Sequence, residues 1–219
     1  MTLDAVREQV AEPGRRLTAD GLVLGTAGNI SARHDDAVAI TPTGAALAEL
    51  EPEHVSVVDL DGHQVDGELA PTSEVDLHLG VYRRYGAGAV VHTHAPMATA
   101  LSCVLDELPC VHYQMLLLGG PVPVAPYETF GTPELARCVL DALEGHRAAL
   151  MANHGAIVHA GNLDEALELS LLLEWACTVY WRAAAIGEPR ALGAEAREAV
   201  AAAALGRNYG TTQTVGDGR

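Results

Sequence analysis

Ala89-Val-Val-His92-Thr-His94-Ala95 is a run of small and β-branched residues that carries two histidines one residue apart. Such a run favours an extended strand, here 89–94, and along a strand residues i and i+2 point to the same face. Both imidazoles therefore share one side. Two imidazoles joined by a third from elsewhere form the nitrogen-rich partial shell that a catalytic Zn²⁺ prefers, with one position open for substrate. His154, in Met151-Ala-Asn-His154-Gly155, is the candidate third. Alone, His-x-His also arises by chance, or from a core histidine whose polar atoms are satisfied.

Working outward, Pro71-Thr-Ser73 precedes a helix from Glu74 to about Tyr85, with Thr72 or Ser73 available as N-cap, and Gly86 to Gly88 ends it. Upstream, a helix spans about Leu3 to Leu24. Strands follow at 30–33 and 37–41, and Asp61-Gly62 turns a hairpin between 55–60 and 63–65. Downstream, 96–102 reads as a short helix, and 116–120 and 122–125 flank a loop. Thr132-Pro133 opens a helix that runs to Gly145, strands 148–152 and 156–159 surround Asn153-His154-Gly155, and Asn162 caps a helix to about Ile186. A last alanine-rich helix lies near 194–205. Strands joined mostly by hairpins and flanked by helices imply a mixed α/β sheet covered on both sides.

The 219 residues, 49% hydrophobic, suit one domain over 1–210 with a polar tail at 211–219. A net charge of −16 argues against nucleic acid or an anionic membrane as partner. The N-terminus lacks a signal-peptide layout, no apolar run approaches a membrane span, and four scattered cysteines read as reduced thiols; a cytoplasmic protein is expected. All thirteen basic residues are arginine. Without lysine there is no Schiff base, no P-loop lysine and no pyridoxal-phosphate anchor, so carbanion chemistry here needs another electron sink, and a metal is the obvious one.

Gly25-Thr-Ala-Gly-Asn29, Thr41-Pro-Thr-Gly44 and Pro71-Thr-Ser73 are hydroxyl-rich turns of the kind that hold phosphate with backbone N–H groups and short donors. Glu74, read alone, fits a first-turn glutamate favoured by the helix dipole. His78, four residues on, reads as structural.

Thr26-Ala-Gly-Asn-Ile-Ser31, Ile40-Thr-Pro-Thr-Gly44, Pro71-Thr-Ser-Glu74, Val91-His-Thr-His-Ala95, His112-Tyr113, Ala125-Pro-Tyr-Glu-Thr-Phe-Gly-Thr132 and Asn153-His-Gly155 occur together and in order. In this the chain resembles the class II aldolase/adducin family over nearly its whole length. The resemblance implies a three-layer α/β/α domain with a mixed, mostly antiparallel sheet, assembled as a C4 homotetramer with active sites between subunits. It implies Zn²⁺ on His92, His94 and His154, with Glu74 as acid/base and occasional ligand. Thr26, Asn29, Thr43, Gly44, Thr72 and Ser73 would line the phosphate pocket; Thr72 stands where serine is common and keeps the hydroxyl. Tyr113 would enter from the adjacent subunit as proton donor, and Phe130 and Tyr209 would shape the aldehyde pocket. The tail after Tyr209 departs from the family's usual ending.

The implied activity is reversible cleavage of a ketose 1-phosphate, of the L-fuculose 1-phosphate type, to dihydroxyacetone phosphate and a short aldehyde such as L-lactaldehyde, through a metal-stabilised enediolate. Ribulose-phosphate 4-epimerases typically carry Asp at the position of Glu74, which favours the aldolase. A methylthioribulose-phosphate dehydratase or a sugar-acid-phosphate decarboxylase would keep a Glu and the three histidines. Adducin-like interaction modules lose the metal histidines, whereas this chain has all three.

Overall fold

Side-chain alternation along the strands sorts the apolar residues into two cores, one on each face of a sheet. On β5 (Ala89–Thr93), Ala89 and Val91 join one core and Val90 the other; on β2 (Ala37–Ile40), Ala39 joins the first and Val38 and Ile40 the second. The computed structural model describes residues 3–207. The remaining strands are β1 (Asn29–His34), β3 (Ser56–Asp59), β4 (Gln64–Asp66), β6 (Glu107–Leu108), β7 (Val122–Ala125), β8 (Ala148–Met151) and β9 (Gly155–Ala160). They form one sheet of order β4-β3-β2-β1-β5-β9-β8-β7-β6, in which only β7 and β8 run parallel.

The first core is closed by α1 (Leu3–Ala19), α3 (Pro96–Ser102) and α5 (Leu163–Ile186), the second by α2 (Val75–Tyr85) and α4 (Pro133–Ala142). The chain is thus a three-layer α/β/α sandwich with a mixed, mostly antiparallel sheet, as expected. α6 (Ala194–Arg207) follows α5. Among the described residues no helix is long and apolar enough to cross a membrane, and all four cysteines are free thiols.

The elements differ from the sequence reading where local capping decides. α1 stops at Ala19 rather than near Leu24 because Gly21, at φ +75°, closes a Schellman motif. The Leu22 N–H donates to the Leu17 carbonyl and the Gly21 N–H to that of Thr18. Residues 113–118 form 3-10 turns, and the two-residue β6 had no sequence signal. Thr132 and Asn162 cap α4 and α5 as expected, each accepting a backbone N–H three residues on. The α2 cap differs: Glu74 itself occupies the N-cap position, with no side-chain cap bond. Thr72 instead accepts the Glu74 N–H at 3.3 Å in the turn before the helix.

Candidate active site

Adjacent strands bring the three histidines together. β5 and β9 pair antiparallel, with His92 opposite Ile157, so the turn that enters β9 lies beside the residue just after β5. His94 is that residue, and His154 sits in the turn between β8 and β9. Asn153 adopts φ +56°, a conformation asparagine tolerates, and the His154 N–H closes the turn onto the Met151 carbonyl at 3.0 Å. Gly155 is required by contact: a Cβ there would lie 2.2 Å from the Thr93 carbonyl oxygen and push the two strands apart.

The three rings are mutually 4.9 Å apart, centroid to centroid, and inclined at 67° to 87°. His92 is fully buried and donates its Nδ1–H to the Ala156 carbonyl at 2.9 Å, which leaves the Nε2 lone pair facing the other rings. The Nε2 atoms of His92 and His94 are 3.1 Å apart. Tetrahedral zinc with Zn–N bonds of about 2.0–2.1 Å requires nitrogens about 3.3–3.4 Å apart. The donor set, its spacing and its fixed tautomer therefore fit a divalent metal.

Burial, reinforced by neighbouring imidazoles, pushes His94 and His154 down to about 4, so both are neutral at pH 7 and offer lone pairs. His78, fully buried on α2, is pushed down to about 3, chiefly by burial. In the metal-free protein these depressed values make the unfolded chain bind more protons than the folded one below about pH 6.5. Stability is then lost progressively as pH falls from about 6.5 through about 3. Melting temperatures of chelated protein should drop over that interval and stay level between pH 7 and 8.

Glu74 borders the triad. Its Oε2 lies 3.3 Å from His92 Nε2 and its Oε1 3.7 Å from His154 Nε2, with the side chain 7% exposed. Burial raises its carboxyl, but His92, the hydrogen bond from Asn29, His154 and His78 outweigh that and hold it below the usual carboxylate range. Asn29 donates Nδ2–H to Oε2 at 2.8 Å, whereas Oε1 is buried with no hydrogen-bond partner. An ionised carboxylate with one oxygen tethered and the other without a hydrogen-bond partner is chemically able to accept a proton.

The three hydroxyl-rich turns meet at one cleft because the backbone ties them together. Thr43 N–H donates to the Ala70 carbonyl and Thr72 N–H to that of Thr41, each at 3.0 Å. Thr41 Oγ1 accepts the Ile30 N–H at 3.1 Å. Gly28, at φ +79°, packs so closely under the site that a Cβ would lie 2.8 Å from the His92 carbonyl oxygen. Thr26, Asn29, Thr43, Gly44, Thr72 and Ser73 all line the cleft, together with Glu74, His94, His154 and Phe130. Among the described residues no arginine lines it, so an anion there would meet hydroxyls, backbone N–H groups and the N-terminus of α2.

Two further residues were expected to serve the site, Tyr113 from an adjacent subunit and Tyr209. Tyr113, in the 3-10 segment, does not line the cleft of its own chain; the ring packs on His112, which in turn meets Trp175. Tyr209 lies outside the described residues. Conversely, Tyr127, Glu128 and Asn153 line the cleft although they were not singled out. Tyr127 and Glu128 sit in the same loop as Phe130, directly after β7, where strand-end loops of α/β folds commonly bear site residues.

A family model described as the class II aldolase and adducin N-terminal domain matches residues 8–181. The chain is 40% identical over 204 residues to the 5-deoxy-D-ribulose 1-phosphate aldolase of Bacillus thuringiensis serovar kurstaki, covering 92% of this chain and 96% of that one. It is 38% identical to the L-fuculose phosphate aldolase of Escherichia coli K12 over 191 residues, covering 86% and 88% of the two chains. A solved L-fuculose 1-phosphate aldolase superposes with a TM-score of 0.88 at 36% identity, covering 91% and 95%. Sequence match and fold agree over nearly the whole length: this chain belongs to the class II aldolase/adducin family, as an aldolase and hence a lyase.

Proposed function

We propose that this aldolase is zinc-dependent and reversibly cleaves a short deoxyketose 1-phosphate to dihydroxyacetone phosphate and a small aldehyde. The observation that carries the reading is the buried, unclaimed Oε1 of Glu74, 3.7 Å from His154 Nε2, on a residue that lines the same cleft as the hydroxyl-rich turns. His92, His94 and His154 would hold the metal, which when bound supplies a Lewis acid that polarises the substrate carbonyl. The cradle would hold the phosphate by neutral donors. This matters in a chain of net charge −16, whose surface does not attract anions.

In the condensing direction Glu74 Oε1 takes a proton from the hydroxymethyl carbon of dihydroxyacetone phosphate. The released electron pair forms the new carbon–carbon bond to the aldehyde carbon. The aldehyde oxygen takes the proton that Tyr113 of a second copy delivers. In cleavage each proton returns along the same path. Phe130, 68% exposed at the cleft, offers an apolar contact to the methyl end of the aldehyde. The relatives' names point to 5-deoxyribulose 1-phosphate, which would release acetaldehyde, or L-fuculose 1-phosphate, which would release L-lactaldehyde.

Tyr113 can serve the site only from a neighbouring subunit, since it does not line the cleft of its own chain. Its surroundings include the exposed Leu117 and Trp175, side chains suited to burial between subunits. A homotetramer is expected on size-exclusion chromatography with light scattering. Tyr113→Phe should lower kcat about 10²-fold, a usual contribution for a positioned proton donor, with zinc content unchanged. An unaltered kcat in that variant would remove Tyr113 from the mechanism.

The test of the reading is a panel of ketose 1-phosphates assayed for release of dihydroxyacetone phosphate. Cleavage of 5-deoxyribulose 1-phosphate or L-fuculose 1-phosphate supports it. Conversion of ribulose 5-phosphate to its epimer, or loss of water from a methylthioribulose phosphate without carbon–carbon cleavage, overturns it.

A further inference from the structure

Behind Glu74 two periodicities face each other. Glu74, His78 and Tyr82 recur every four residues along α2, while Asn29 and Ser31 recur every two along β1 and point to the same side of the sheet. They join in one buried line. Asn29 Nδ2 meets Glu74 Oε2 at 2.8 Å and Asn29 Oδ1 meets His78 Nε2 at 2.5 Å. His78 Nδ1 meets Ser31 Oγ at 2.7 Å, and Ser31 Oγ meets the Tyr82 hydroxyl at 2.6 Å. His78 and Ser31 are wholly buried, and Asn29, Glu74 and Tyr82 nearly so.

We infer that His78 is a positioning residue for Glu74, acting through Asn29, an assignment that rests on the aldolase reading given above. The carboxylate fixes the direction of every bond. An ionised Glu74 only accepts, so Asn29 turns its NH₂ toward it and its carbonyl oxygen toward His78. That oxygen also only accepts, so His78 carries its proton on Nε2 and accepts at Nδ1 from the Ser31 hydroxyl. Ser31 then accepts from Tyr82. Reversing the line would place Asn29 Oδ1 against the Glu74 carboxylate, two acceptors 2.8 Å apart. The line thus allows one amide orientation of Asn29, holds Oε2, and leaves Oε1 without a hydrogen-bond partner, 3.7 Å from His154 Nε2. Without His78 the Asn29 carbonyl oxygen loses its partner, so the amide that tethers Oε2 is held at one end only and the carboxylate is less firmly oriented. Hydrogen-bond partners one step behind a reacting group commonly change activity about 10- to 100-fold when removed.

His78→Phe keeps the buried ring and removes both nitrogens. It should lower kcat about 10- to 100-fold, with KM within about twofold and zinc content unchanged. A structural role alone would not predict the next result: in an Asn29→Ala background, His78→Phe should add less than about twofold, because the path is already cut. Multiplicative losses in the double variant, or an unchanged kcat in the single one, overturn the inference. Should His78→Phe not fold, Ser31→Ala, which removes the donor to Nδ1, should still lower kcat several-fold. No change in Ser31→Ala also overturns it. ¹⁵N-histidine spectra, independent of activity, should show His78 neutral and protonated at Nε2; protonation at Nδ1 sinks the assignment. If wild type cleaves ketose 1-phosphates and His78→Phe matches it, only the positioning role fails. If wild type cleaves none, the aldolase reading fails and the inference falls with it.

Discussion

Glu74→Gln should lower kcat for ketose 1-phosphate cleavage about 10²- to 10⁴-fold, the usual contribution of a positioned general base. The substitution is nearly isosteric, and an amide has no basic oxygen to receive a carbon-bound proton. Asn29 Nδ2 can still donate to the carbonyl oxygen of a glutamine, so the tether at 2.8 Å is kept when that oxygen replaces Oε2. The base disappears while its packing stays. Zinc content should stay near wild type if the three histidines bear the metal, and KM for the ketose phosphate should change little, because the cradle is untouched. Metal analysis with steady-state kinetics on one preparation separates the outcomes. Full turnover in Glu74→Gln would assign the proton transfer elsewhere. Loss of metal together with turnover, both restored by added zinc, would make Glu74 a ligand rather than a base.

His154→Ala should abolish measurable cleavage and cut zinc affinity. Three imidazoles set at 4.9 Å centroid spacing supply the donor set, and two alone leave a weak, open site. Lewis-acid stabilisation of developing charge is worth several kcal/mol, and each 1.36 kcal/mol is tenfold in rate, so a loss of about 10³-fold or more is expected. His154 is the best of the three to change. His92 is fully buried and bonded to Ala156, so its removal would also leave a cavity and an unpaired carbonyl in the sheet. A folded His154→Ala protein that retains stoichiometric zinc and turnover would remove it from the metal site.

The metal triad was legible because strand periodicity and a His-Gly turn are local signals. His92-Thr-His94 places two rings on one side of a strand, and Asn153-His154-Gly155 breaks a pair of apolar runs. That these belong side by side depends on β5 pairing β9, a contact between residues more than sixty apart that no local pattern specifies. The cradle was legible as three hydroxyl-rich turns, but their convergence rests on backbone bonds such as Thr72 N–H to the Thr41 carbonyl. The Glu74–His78 spacing on α2 was visible as a helical pair. Its purpose was not, because Asn29 and Ser31 reach it from β1, and Tyr82 looked like an ordinary core aromatic. Tyr127 and Glu128 escaped notice because an exposed loop aromatic and a loop acid carry no periodic signal. Tyr113 is the opposite case, a motif residue that its own chain keeps away from the cleft.

The most direct test follows dihydroxyacetone phosphate released from 5-deoxyribulose 1-phosphate and L-fuculose 1-phosphate by purified protein as prepared, after chelation, and after zinc is restored. The account predicts release from at least one substrate, loss of at least about 10³-fold on chelation, and recovery with zinc at one ion per chain. Release that survives complete metal removal, or the absence of release in all three states, would contradict it.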